Sequence, residues 1–289
     1  MNWTDLFTSW EQLYTPDKIN LSHYNTSIQN KDTLIVCLGD SWTFGGGLDE
    51  EQRTQQFYAR HLADYYDADI VNIGYSGFSN SWTLYIGGKL LKEVKKLNYR
   101  RVIVAITLTE NARDFKSSYA FRFDFAKHFA THGVSVESYE NVLTTTQHLW
   151  QKQIIRMIEQ SDDRFKFFVG QNFVWHDFYN TLEHDSLVTT NINWIELLAD
   201  YQNMPRPIRT NMVTGWIFDE VNLMNQLGEI KDTSVYKEWI IPYIDRAQSV
   251  NQWLDSSILN NNKASKHPVA LGHELWAKHI IKSLERQTQ

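Results

Sequence analysis

The sequence predicts an α/β fold in which helices cover both faces of a central parallel sheet. Two observations predict it. Apolar runs of strand length alternate with helical stretches at intervals of roughly 30 residues, the spacing of strand–helix–strand units. The runs are also apolar at consecutive rather than alternate positions, as in strands buried on both faces.

Residues 1–30 are polar with scattered aromatics and read as an N-terminal arm or short helix. The first strand is Thr33–Leu38 (TLIVCL), closed by Gly39. A helix over 51–66 leads to a second strand at 68–73, and a helix over 81–97 leads to a third, Arg101–Leu108. A helix over 140–159 precedes a fourth strand at 165–169. Residues 172–262 carry turn signals at Pro205, Pro207 and Thr214-Gly215. They read as one last core strand plus insertions inside a single domain spanning 31–289. Pro268 stands where a helix begins, and Leu271, Leu275, Trp276, Ile280 and Leu284 then recur at helical spacing on one apolar face.

Bulk composition narrows the function classes. A net charge of -6 weighs against a nucleic-acid backbone or an anionic membrane as partner. The single cysteine, Cys37, forbids a disulfide within the chain, which fits a reducing compartment, and its strand position reads as a small buried apolar residue. Met-Asn-Trp-Thr-Asp-Leu-Phe is not a basic stretch followed by an apolar one, so no secretory signal is read there. No apolar run approaches the roughly 20 residues that span a bilayer. The expected location is cytoplasmic; a host cytoplasm or assembly into a virus particle stays open. Aromatics number 11 Trp, 14 Tyr and 15 Phe. Most belong to the core, while Trp175, Trp194 and Trp216 lie in polar surroundings where a platform for sugar rings is an alternative.

Ligands of open parallel sheets bind at the carboxyl ends of the strands. The informative loops therefore follow Leu38, Ile73 and Leu108, with the segment before the last helix. The first holds Gly39-Asp40-Ser41, a serine at a strand-to-helix turn that presents its hydroxyl to the crevice. The second holds Asn72-Ile73-Gly74-Tyr75-Ser76-Gly77, where Gly77 offers an unobstructed N–H to an oxyanion. The third holds Thr109-Glu110-Asn111, whose Asn111 amide can add a second donor. Before the last helix stands His267, the side chain best suited to take a proton from serine near neutral pH. Each has a plain structural alternative: a helix cap for Ser41, Asn111 and His267, and turn geometry for Gly77. Gly45-Gly46-Gly47 lacks the Lys-Ser/Thr of a phosphate loop, and His273-Glu274 has its next histidine at 279, beyond zinc-protease spacing. The pairs His176-Asp177 and His184-Asp185 are eight residues apart and read as surface residues. No metal and no cofactor are read from the sequence.

Taken together and in this order, the four pieces resemble the four signature blocks of the SGNH (GDSL-like) hydrolase superfamily. Gly39-Asp40-Ser41 matches the first block and Gly77, within Asn-x-Gly-x-Ser-Gly, the second. Thr109-Glu110-Asn111-Ala112 stands in the place of the third, usually Gly-x-Asn-Asp, and keeps the Asn. Ala264-Ser265-Lys266-His267 stands in the place of the fourth, usually Asp-x-x-His, so alanine occupies the acid position. The resemblance implies a three-layer α/β/α sandwich with a flavodoxin-like parallel sheet of about five strands. It implies a cofactor-free serine esterase, with Ser41 as nucleophile and His267 as base. The oxyanion would be held by the N–H groups of Ser41 and Gly77 and the Asn111 amide. The implied substrates are carboxylic esters, with short-acyl or O-acetyl esters of carbohydrate a plausible subset.

Three readings of Ala264 stay open: a Ser–His dyad, an acid from the insertion such as Asp219, Glu220 or Asp255, or an engineered replacement of Asp that stops turnover. A non-catalytic glycan-binding module on the same scaffold is the alternative function.

Overall fold

The computed structural model describes residues 27–75, 78–109, 136–172, 182–190, 192–201, 259–260 and 267–286. Its strands are β1 (Thr33–Leu38), β2 (Ala68–Asn72), β3 (Arg101–Leu108), β4 (Phe165–Gln171) and β5 (Leu187–Thr189), with two-residue strands β6 (Leu259–Asn260) and β7 (His267–Pro268). Its helices are α1 (Ser41–Phe44), α2 (Glu50–Gln55), α3 (Tyr58–Tyr66), α4 (Asn80–Val94), α5 (Val136–Glu159), α6 (Trp194–Tyr201) and α7 (Ala270–Arg286). The main sheet has five strands in the order β2-β1-β3-β4-β5, every pair parallel. This is the flavodoxin-like order, and its direction reverses between β1 and β3, where such sheets place their ligands.

Alternation along each buried strand sorts the core into two layers. Leu34, Val36 and Leu38 of β1, with Val102, Val104, Ile106 and Phe167, pack under α4 and α5. Ile35 and Cys37, with Ile103, Ala105 and Phe168, face α3, α6 and α7. The result is the three-layer α/β/α arrangement. The β2 edge is capped by an antiparallel bridge from Ser27 to Ile70. Buried Asp69 accepts hydrogen bonds there from the N–H groups of Gln29 and Lys31 and from the Tyr99 hydroxyl.

Three expectations change. The helix expected over 51–66 is two helices. α2 buries no residue and is held by a reciprocal cap between Asp49 and Gln52, whereas Phe57 turns fully into the core and starts α3. Apolar periodicity could not show this break, because α2 has no apolar face to carry the period. Pro268 does not begin the last helix. It pairs with Leu259 while His267 pairs with Asn260, and the helix starts only after Val269, whose carbonyl accepts from the His273 N–H. Trp194 is no sugar platform: it is fully buried.

Trp194 instead locks α7 to the sheet. Its ring stacks on Trp276 at 5.1 Å and meets Trp42, Tyr58 and His273 edge-on, and its Nε1–H donates to the Gly272 carbonyl at 3.0 Å. Trp276 also meets Phe168 of β4 at 5.7 Å and His279 at 5.4 Å. Two histidines of α7 are therefore held neutral. Burial lowers His273 to about 3, helped by His61 and His267, and lowers His279 to about 4, helped by Lys282 and Arg286.

Two outcomes are expected. Trp276→Ala should cost about 3–5 kcal/mol of unfolding free energy in urea melts, the usual range for a buried aromatic. Because the folded-state pKa values of both histidines lie below the unfolded value of roughly 6.5, the unfolded chain binds more protons in acid. Stability should hold above that value and decline as pH falls toward 4 and then 3. Thermal melts across this window measure the decline.

Candidate active site

The first loop of the crevice is built around one helical turn. Asp40 is the N-cap of α1, its Oδ1 accepting from the Trp42 N–H at 3.0 Å, so the cap is Asp40 and not Ser41. Ser41 takes the first helical position, where its N–H has no intrahelical acceptor. Gly45 ends the turn in the left-handed region at φ 84, and the Gly46 N–H returns to the Ser41 carbonyl at 2.8 Å. The Ser41 loop is thus closed on itself within eight residues of the strand end.

His267 reaches this turn from the other end of the chain. Its Nε2 lies 2.8 Å from Ser41 Oγ, and both side chains are buried. The Trp42 ring flanks the imidazole at 6.5 Å. Gly46 and Gly47 also approach it closely. A methyl built on Gly46 would sit 3.0 Å from His267 Cδ2 and 3.1 Å from Nε2, and one on Gly47 would sit 2.9 Å from His267 Cβ.

Three asparagines, two at strand ends and one at the start of α4, tie the loops together. Asn72 accepts from the Gly74 N–H and donates to the Thr43 carbonyl, joining the β2 loop to α1. Asn80 exchanges two hydrogen bonds with Thr109 at 2.8 and 2.9 Å, fixing the end of β3. Asn172, after β4, reaches past the end of β3 and donates to Asp40 Oδ1 at 2.8 Å, while its own N–H donates to the Leu108 carbonyl. Sequence reasoning quoted Asn72 within the second block without a role and passed over Asn80 and Asn172. Each directly ends or follows a strand, or opens a helix, and that placement was the signal available.

The structure brings Ser41 and His267 together. Gly77, Asn111 and Ala264 lie outside the described residues, as do Asp219, Glu220, Asp255, Trp175 and Trp216. Gly77 falls between the described residues Tyr75 and Phe78, and the last described residue before Asn111 is Thr109. Cys37, within β1, is fully buried, and burial pushes its thiol up to about 12. Among the described residues no three His, Cys, Asp or Glu side chains are grouped to hold a metal ion, and no helix is long and apolar enough to cross a membrane.

No family model matches the sequence, and no curated protein matches it. Solved structures do superpose on it, remotely. One is a member of the lipolytic protein G-D-S-L family from Veillonella parvula, 13% identical, covering 88% of this chain and 99% of its own, at a TM-score of 0.36. A catalytic mutant of an acetylxylan esterase from Geobacillus stearothermophilus is 15% identical, with 89% of this chain and 96% of the other covered and a TM-score of 0.38. An esterase from Pseudoalteromonas is 12% identical, with 89% and 98% covered and a TM-score of 0.35.

Asp40→Ala removes the cap and strands the buried amide of Asn172. It should cost about 1–3 kcal/mol in urea denaturation, the range for an unsatisfied buried donor. A loss below about 0.5 kcal/mol would mean that the cap does not hold this turn.

Proposed function

We propose that the protein is a serine hydrolase of carboxylic esters of the SGNH type, acting through an acyl-enzyme on Ser41. The observation that carries this reading is the 2.8 Å separation of His267 Nε2 and Ser41 Oγ at the carboxyl end of a parallel sheet.

With Nε2 unprotonated, the Ser41 hydroxyl donates to it. As Oγ attacks the ester carbonyl carbon, its proton passes to Nε2 and the carbonyl oxygen becomes an oxyanion. The Ser41 N–H, at the first position of α1 where it has no intrahelical acceptor, is a ready donor to that oxyanion. By the block resemblance, the Gly77 N–H and the Asn111 amide complete the hole, each donor contributing about 3 kcal/mol. His267 then returns the proton to the departing alcohol oxygen as the ester C–O bond breaks. Water attacks the acyl-enzyme with His267 again as base, releasing the acid and regenerating the serine.

The substrates proposed are short-acyl esters, O-acetyl groups on carbohydrate among them. The acid position is Ala264, so turnover without a carboxylate there is slower than with one, by up to about 10⁴-fold on the chymotrypsin precedent described for Asp→Asn. The glycan-binding alternative loses one of its three candidate platforms with the burial of Trp194.

A fluorophosphonate probe tests this reading. It should modify the chain at Ser41 and leave Ser41→Ala unmodified, and His267→Ala should slow labelling about 10²–10⁴-fold. The Ala264→Asp form should label faster than the chain as it stands. If neither form is labelled while either binds acetylated glycans, the protein is a binding module and the hydrolase reading fails.

A further inference from the structure

We propose that Gly46 and Gly47 are positioning residues, a bare-backbone shelf that holds the His267 ring against Ser41 Oγ. The inference rests on the hydrolase reading for its meaning, but its geometry is tested separately.

Gly45 is required by its left-handed φ of 84, which no side-chain-bearing residue adopts without strain. Gly46 and Gly47 have no such backbone demand. What excludes a side chain there is His267 and its neighbour. At Gly46 a methyl would meet the two ring atoms facing the nucleophile, Cδ2 and Nε2, at 3.0 and 3.1 Å, and the Ser41 carbonyl at 3.1 Å. At Gly47 it would lie 2.9 Å from His267 Cβ and Oxygen of the same residue, and it would overlap the Pro268 carbonyl. Side chains at Gly46 and Gly47 would thus between them meet the base from its backbone to Nε2.

Two further contacts make this a seat rather than a chance approach. The Gly46 N–H donates to the Ser41 carbonyl at 2.8 Å, so the shelf and the nucleophile belong to one closed turn. On the other side the β7 pairing of His267 with Asn260 fixes the backbone from which the ring projects. The imidazole thus has both the Trp42 ring and the glycine backbone as close neighbours. Such neighbours restrict ring orientation, the duty that the acid of a triad shares, and here alanine occupies that acid's place in the sequence.

Two measurements test the shelf. In the wild-type chain, NMR should show a direct cross-relaxation peak between a Gly46 Hα and His267 Hδ2; its absence overturns the proposal whatever the activity. Gly46→Ala should keep a melting temperature close to wild type and lower the fluorophosphonate labelling rate of Ser41 about three- to tenfold. Misplacing a reacting group by 1 Å costs about 10²-fold, and here the shift required is a few tenths of that distance or more. Gly88→Ala, on the open face of α4 with only Met157 Cγ at 3.7 Å, is the control and should label like wild type. A folded Gly46→Ala that labels at the wild-type rate, with unchanged His267 ring shifts, overturns the proposal. A wild-type chain that shows the cross-peak keeps the shelf, and if neither it nor its Ala264→Asp form is labelled, it is the hydrolase reading that falls instead.

Discussion

Everything at the crevice depends on how α7 docks on the sheet. Ser41 and His267 are 226 positions apart, and β7, which carries the histidine, is joined to α7 through a single residue. The docking is aromatic. Trp276 contacts Trp194, Phe168 and His279, and Trp194 in turn contacts Trp42, the residue next to Ser41. A shift of α7 along the sheet would therefore disturb the core and the Ser41–His267 contact together. Core packing and site geometry are here one constraint, since close-packed interiors transmit small displacements rather than absorbing them.

The same packing explains the electrostatics. Burying His273 and His279 beside that aromatic stack favours their neutral forms, so α7 loses stability in acid before any carboxylate is considered. The crevice itself uses buried polar groups differently, binding each into the loop framework. Asp40 is buried, yet it receives the Trp42 N–H and the Asn172 amide, so its carboxyl serves to shape the Ser41 turn. Asn72 and Asn80 do similar work at the ends of β2 and β3 with uncharged amides.

Much of the fold was legible because it follows from local pattern. β1 and β3 were bounded correctly from apolar runs alone, and the sheet's parallel order follows from alternation with helices. What escaped the sequence were features set by contacts distant in the chain. Trp194 looks polar-flanked in its own neighbourhood, but its surroundings come from α3 and α7. Pro268 carries the local mark of a helix start, yet pairing with Leu259 keeps it in a strand. The α2–α3 break lay hidden because α2 buries nothing that would register as a period. Of the candidate site, Ser41 and His267 were legible from chemistry and order along the chain. The supporting asparagines and the glycine shelf were not, since their partners are named only by three-dimensional placement.

The central claim is that Ser41 becomes acylated because His267 stands beside it. The most direct measurement is acid-quenched peptide mass spectrometry after mixing the chain with p-nitrophenyl acetate. The account predicts one acetyl group on the peptide containing Ser41, absent when His267 is replaced by alanine. Acetylation confined to lysines or other hydroxyls, or an adduct on Ser41 that forms equally fast without the imidazole, would contradict it.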